Sequence, residues 1–206
     1  MISLIYILGR VTESIHARLV NIWWKNYLLA YCLSKKDEIH VADTKSLQFR
    51  NKTILHIEKG STFNIGKDVV INSGNISILP FASRIYVSGT LTIADHTGIS
   101  SSSIVCCKSI TIGKYVNIGA GCLIMDSNMH SINWYDRENR KSDVEKSATA
   151  PVIICDYAFI GARSIINKGV TIGEKSIIAA GSVVVENIPA NCIAGGNPCK
   201  VIKYVV

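Results

Sequence analysis

Residues 154–189 repeat in steps of six. Ile154, Ile160, Ile166, Ile172, Ile178 and Val184 open six successive hexads without a register slip, and the fifth positions, Ala158, Ser164, Val170, Ser176, Ser182 and Ile188, are mostly small. An α-helix returns an apolar residue to one face every 3.6 residues and a half-buried strand every two. A period of six fits neither over this length. It fits a chain that turns a corner every six residues, with an aliphatic side chain pointing inward and a small residue near each corner. That is a hexapeptide parallel β-helix, in which three hexads close one triangular coil. Each coil buries its inner row only by stacking on the next, so an open end needs a cover.

The same period runs backwards through the chain less regularly. Ile65 and Ile71 form one hexad pair, and Ile93, Ile99 and Val105 a second run. The phase then slips by one before Ile112, Ile118 and Ile124. Residues 76–89, with Pro80 and Arg84, read as an irregular coil edge, and the slips predict corners that bulge rather than a different fold.

The N-terminal part has another period. Val11, Ile15, Leu19, Ile22 and Trp23 recur at three- and four-residue steps, with Arg10, Glu13, Arg18, Asn21 and Lys25 between them. This predicts an amphipathic helix within residues 11–33. It either caps the open end of the solenoid or lies on a membrane surface through Trp23, Trp24, Tyr27 and Tyr31 beside basic residues, and the sequence leaves both open. Residues 1–8 are apolar but too short to span a bilayer, and they lack the basic flank and cleavage site of a signal peptide. Residues 34–46 are polar and read as a linker. The expected organisation is a helical cap and linker over 1–46 and a β-helix over 47–206, with an inserted loop at 130–150.

Composition fits this picture. Hydrophobic residues make up 48% and charged residues 18% of the 206, which suits a solenoid with a continuous apolar interior and argues against disorder. The net charge of +7 reads either as a solvated basic surface or as attraction to an anionic ligand or membrane face. Nucleic acid is not an expected partner, because no basic run is interleaved with aromatics. The seven cysteines are odd in number and form no C-x-x-C. They predict small buried hydrophobes in a reducing, cytoplasmic compartment and no zinc or other metal site.

Residues 130–150 interrupt the repeat with a charged segment that contains Trp134 and Tyr135. A loop this long in a compact fold is usually functional. Of the five histidines, His16, His40 and His56 read as structural, and His96 sits in a coil-corner sequence. His130 differs, because it lies where a coil opens into the loop, beside Asp126 and Asn128.

Three segments are more specific than the hexads: Asp126-Ser127-Asn128-Met129-His130, Asn187-Ile188-Pro189, and Gly195-Gly196-Asn197-Pro198-Cys199-Lys200-Val201-Ile202-Lys203. With the repeats, they resemble the hexapeptide-repeat acyltransferases, in particular the sugar and polysaccharide O-acetyltransferase branch, from about Gly60 to Lys203. The resemblance implies a left-handed β-helix, a homotrimer with active sites between subunits, and acetyl-CoA as acyl donor. It implies O-acetylation of a sugar acceptor in capsule, exopolysaccharide or lipopolysaccharide synthesis. His130 matches the catalytic base, a fitting role for a group that titrates near neutrality. No G-x-S-x-G elbow suggests a covalent intermediate, so direct attack of the acceptor on the thioester is expected. Asp126, Asn128, Trp134 and Tyr135 fall on the acceptor side.

The family's oxyanion Asn is replaced by Ser100-Ser101-Ser102-Ser103, which leaves a Ser hydroxyl, Asn128 or a backbone N–H for that role. Ala162 and Ala180 match positions against the pantetheine arm, and also fit as plain corner residues. Val185 and Glu186 match a Thr-Lys pair, where Glu186 allows only a backbone contact. Lys200 and Lys203 match basic residues near the nucleotide phosphates, and also fit as surface charge. Rival readings are N-acylation of an amino sugar, O-acetylation of serine or an antibiotic, and a non-catalytic scaffold. A carbonic anhydrase on this fold needs three His ligands, and the repeat region offers only His96 and His130.

Overall fold

The computed structural model describes residues 22–23, 25–50, 52–72 and 82–205. Successive strands pass to successive faces of a triangular prism, so every three close one coil of a left-handed β-helix. Among the described residues face A has six strands, face B eight and face C six, parallel throughout except for the final pair, Cys192–Gly195 with Lys200–Tyr204.

The inward residues stack in columns. On face A, Ile65, Ile93, Ile112, Ile154 and Ile172 lie in register. Face B stacks Ile71, Ile99, Ile118, Ile160, Ile178 and Ala194. Face C stacks Ile85, Ile104, Ile124, Ile166 and Val184. All of these are buried. The fifth-position residues from Ala158 to Ile188 are buried too, filling the prism where the chain bends.

Three details differ from the sequence reading. The inward residue of the third coil on face C is Ile104, fully buried, and Val105 points outward. The corner through Ser101, in the left-handed region at φ 39°, takes one residue fewer than a hexad, and the next corner takes two more. That is the source of the one-residue slip. Strand Ile39–Val41 lies inside the expected linker and pairs with Thr62–Ile65, because Ile39 and Leu47 supply inward side chains there. Of the stretch expected to be irregular, residues 76–81 with Pro80 lie outside the described residues, and Ser83–Val87 is a regular strand, since Ile85 and Val87 alternate inward.

Residues 25–34 are helical, and Leu28 and Cys32 join the hydrophobic core, with Leu29 and Tyr31 packed against it. Lys35 Nζ donates to Ile57 O at 3.3 Å. This end of the helix therefore covers the first coil. The earlier part of the expected helix, residues 11–21, and Trp24 lie outside the described residues. No helix among the described residues is long and apolar enough to cross a membrane.

The corner between faces A and B carries a column of left-handed residues that includes His96 (φ 61°), Tyr115 (φ 55°) and Tyr157 (φ 60°). Their rings stack at 4.6 and 5.0 Å, which offsets part of the backbone cost of those torsions. Cys32 and Cys106 are buried, and desolvation pushes their thiols up to about 11 and about 12. All seven cysteines are free; Cys107 and Cys155 are partly exposed and the other five buried.

Candidate active site

Strand Leu123–Met125 of face C ends at Asp126, where the chain leaves the prism. Asp126 is fully buried. Its Oδ1 accepts from the backbone N–H of Cys107 at 2.7 Å, and its Oδ2 from Lys108 and Ser109 at 2.7 and 2.6 Å. A carboxylate so occupied has no surface for an acceptor. Its expected substrate contact is therefore corrected: Asp126 ties the fourth coil to the third. The loop returns beside its start, with Asn128 N donating to Ala148 O at 3.0 Å and Ala150 N to Asp126 O at 2.9 Å.

Within this neck the insertion is folded. A 3₁₀ turn, Trp134–Glu138, precedes a short helix, Arg140–Glu145, whose first N–H groups are capped by Asn139 Oδ1. Asp136 is buried beneath them and accepts from Ser131 Oγ at 2.9 Å and Lys146 Nζ at 2.6 Å. The Lys146 ammonium holds the Asp136 carboxyl below the usual carboxylate range. Arg137 Nη1 donates to Ser131 O at 2.7 Å, closing the turn that carries His130.

His130 follows Met129, whose backbone is left-handed at φ 64°. Its Nδ1 lies 2.6 Å from Asp143 Oδ2, and Asp143 Oδ1 accepts from Ser131 N at 2.7 Å. The hydrogen bond from the imidazole, then that from Ser131 N–H, holds Asp143 below the usual range, so the carboxylate is the acceptor and Nδ1 carries the proton. Nε2 is then the basic nitrogen, on a side chain 70% exposed. Asp143 was not among the residues read from the sequence. Its only sequence signal is an acidic residue in the insertion that follows His130.

Asn128 is exposed beside His130. Trp134 and Tyr135 are also exposed and meet edge to face at 5.8 Å. Ser102 is removed as an oxyanion donor, because its hydroxyl donates inward to Ser100 O and Gly119 O at 2.7 and 2.8 Å.

Ala162 and Ala180 stand one above the other at the corner between faces B and C, linked by Gly181 N to Ala162 O at 2.8 Å. The coils approach closely here: a Cβ on Gly161 would stand 2.5 Å from Ala180 N. Gly195 and Gly196 continue the column, with Gly196 N donating to Ser182 Oγ at 3.2 Å. The result is a column of small residues along the B–C corner, with Ala180 and Gly181 exposed. Val185 and Glu186 lie at the far end of face C and are exposed. Lys200 Nζ meets Glu186 Oε2 at 2.7 Å, so two expected donor contacts pair with each other. Lys203 is exposed on the last strand, opposite Ile193.

The coil thus separates the two halves of the expected site. Gly121 precedes strand Leu123–Met125 at the B–C corner, and His130 follows it at the C–A corner. The small-residue column and the imidazole lie on opposite edges of face C. Among the described residues, no three His, Cys, Asp or Glu side chains converge as metal ligands.

The repeats, the columns and the coil geometry define a hexapeptide-repeat protein with the left-handed β-helix of the hexapeptide-repeat acyltransferases. The family described as hexapeptide repeat of succinyl-transferase matches residues 151–186. The hexapeptide-repeat containing acetyltransferase VCA0836 from Vibrio cholerae superposes with a TM-score of 0.58 at 29% identity, covering 69% of this chain and 73% of that one. AntD, an N-acyltransferase from Bacillus cereus solved with dTDP and 3-hydroxybutyryl-CoA, shares the fold with a TM-score of 0.65 at 21% identity, over 84% of this chain and 87% of its own. A 2,3,4,5-tetrahydropyridine-2,6-dicarboxylate N-acetyltransferase of Staphylococcus aureus (strain Newman) is 36% identical over 91 residues, 44% of this chain and 31% of the relative. The chain spans about a third of the length of such curated relatives.

Proposed function

We propose that this protein is an acetyl-CoA-dependent acetyltransferase whose acceptor is a sugar hydroxyl, working in capsule, exopolysaccharide or lipopolysaccharide synthesis on the cytoplasmic side of the membrane. The observation that carries the reading is the His130–Asp143 pair: a carboxylate fixes Nδ1–H at 2.6 Å and leaves Nε2 open to solvent. Nε2 takes the proton from the acceptor hydroxyl as its oxygen attacks the thioester carbonyl. As the tetrahedral intermediate collapses, the same proton passes from Nε2 to the departing thiolate. Asp143 holds the tautomer and stabilises the imidazolium between the two transfers. Ala162, Ala180 and the adjoining glycines form the bed for the pantetheine arm, and Lys200 and Lys203 meet the nucleotide phosphates.

The placement of His130 and the small-residue column on opposite edges of face C supports a homotrimer in which each site takes its base from one chain and its donor groove from another. The N-terminal helix adds a peripheral membrane contact through the face that Trp23 and Tyr27 leave exposed. A second reading, transfer to an amine, is favoured by the N-acyltransferase names of the Staphylococcus relative and of AntD. Thiol release from acetyl-CoA, followed with matched hydroxyl and amino sugars, separates the two. The proposal expects turnover with the hydroxyl acceptor, about 10²–10⁴-fold slower in His130→Ala, from a particle of three chains by light scattering. Turnover confined to amino acceptors, or full activity from a monomer, would overturn it.

A further inference from the structure

Face C carries a cleft that the proposed transfer does not yet use. It has a volume of about 490 Å³ and lies at the B–C corner, over Ser101 and Ser103 of the third coil and Gly121 and Leu123 of the fourth. Arg84, from the second coil, and Arg163, from the fifth, wall it at its two ends. The fourth coil is the one that ends at His130. Ala162, the lower residue of the pantetheine bed, immediately precedes Arg163, so the cleft lies where the bed ends and at the height of the catalytic coil.

We infer that this cleft receives the acceptor and that Arg84 and Arg163 select one bearing an anionic group, a phosphate or a carboxylate. The inference rests on the acetyltransferase reading, because it takes the cleft as the acceptor side of the donor groove. Its chemistry is cationic and otherwise neutral. The lining contains two arginines and two serines but no Asp or Glu, the side chains that a neutral sugar's hydroxyls would use as acceptors. Among the described residues neither guanidinium is within ion-pair distance of a carboxylate, whereas Lys114, Lys141, Lys146, Lys175 and Lys200 each are. The two arginines start three strands apart, about 14 Å at the usual spacing. That gap suits an anion reached from both ends, and the planar fork of Arg matches phosphate or carboxylate oxygens in pairs. Leu123 and Gly121 give the floor an apolar surface on which a sugar ring can lie.

The test uses the full chain and three sets of probes: UDP and dTDP for phosphate, glucuronate and N-acetylneuraminate for carboxylate, and galactose and N-acetylglucosamine as neutral controls. Binding is measured by calorimetry beside acetyl-CoA. At least one charged set should bind while the neutral sugars do not, and the affinity should fall as salt is raised. Arg84→Gln and Arg163→Gln should each weaken that binding about 10–100-fold, as expected for loss of a charge-assisted contact. Arg84→Lys should recover part of it, and acetyl-CoA affinity should stay within about twofold by the same criterion. Which charged set binds identifies the source of the anion. Neutral sugars binding as well as charged ones, no binding by any probe, or unchanged affinity in both Gln variants would overturn the inference and leave the acetyltransferase reading standing. A loss of acetyl-CoA affinity in Arg163→Gln would also overturn it, by assigning that guanidinium to the donor. Failure of the wild type to bind acetyl-CoA, with the charged probes bound, would sink the acetyltransferase reading instead.

Discussion

His130 Nδ1 and Asp143 Oδ2 are 2.6 Å apart, although thirteen residues separate them and neither belongs to the repeating coil. The contact exists because a folded insertion brings the helix Arg140–Glu145 back over its own point of departure. It decides which imidazole nitrogen can act as base.

From that contact follows a graded loss of rate. His130→Ala should lower kcat by about 10²–10⁴-fold, the usual contribution of a positioned acid–base group. Asp143→Asn should lower it by about 10–100-fold, because Nδ1 loses its charged acceptor while the base remains. The double variant should be little worse than His130→Ala alone, since the two act as one unit. Acetyl-CoA binding should survive in all three. His96→Ala is the control: it should leave kcat within a few-fold and lower stability by about 0.5–1.5 kcal/mol through the lost stack on Tyr115. Steady-state thiol release and thermal unfolding read these outcomes, and a dead His96 variant beside an active His130 variant would place the chemistry on the wrong coil.

The Lys200–Glu186 pair makes a prediction of opposite sign at its two ends. Replacing Lys200 and Lys203 with Ala should raise the KM for acetyl-CoA, more strongly at low salt, and leave the acceptor KM unchanged. Glu186→Gln should lower the KM for acetyl-CoA a few-fold, because an exposed pair of this kind holds its lysine by less than about 1 kcal/mol, yet competes with the phosphates. Equal effects of the double Ala variant on both substrates would indicate a misfolded final coil.

Packing at the donor groove is tested by Gly161→Ala. The added methyl would meet Ala180 N at 2.5 Å and Ile178 O at 2.6 Å, both backbone atoms that cannot rotate away. A loss of about 1–3 kcal/mol is expected, with weaker acetyl-CoA binding. Gly181 has nothing within 4 Å of a Cβ but sits at φ +75°, so Gly181→Ala should cost only the torsional strain, roughly 1–2 kcal/mol, and leave the coil spacing intact. Denaturant titration of the two variants, with acetyl-CoA calorimetry, distinguishes spacing from strain.

Acid should release the insertion late. Asp136 and Asp143 are both held below the usual carboxylate range, by Lys146 and by His130 respectively. A depressed folded value contributes stability above the ordinary Asp pKa of about 3.9 and loses it as pH falls through the lower folded value. Trp134 fluorescence should therefore stay flat from pH 8 to about 5 and change only below about 4. Release near pH 6 would mean that these carboxylates do not anchor the loop.

The coil architecture was legible because its inward column repeats in the sequence itself: Ile154, Ile160 and Ile166 announce three faces in turn. Where corners vary in length, the signal blurs. Val105 occupies the hexad phase and Ile104 the interior, and both are aliphatic, so only the backbone around Ser101 chooses between them. Ile39 escaped notice because a single inward residue flanked by charges has no period. Asp126 looked like a substrate residue since its three N–H partners come from the preceding coil, nearly twenty residues upstream. Asp143, Arg84 and Arg163 carry no motif, and their meaning comes from closure of the insertion and from stacking of coils that lie far apart in sequence.

The insertion leaves the prism at Asp126 and re-enters at Ala150, held at the neck by Asn128 to Ala148 and Ala150 to Asp126. The segment between can therefore vary without disturbing the coils, provided His130 and Asp143 still meet. Residues 131–147 contribute no side chain to the aliphatic columns, so the loop's surface can change without re-solving how the prism folds. The same neck marks where a loop from one scaffold can be transplanted onto another.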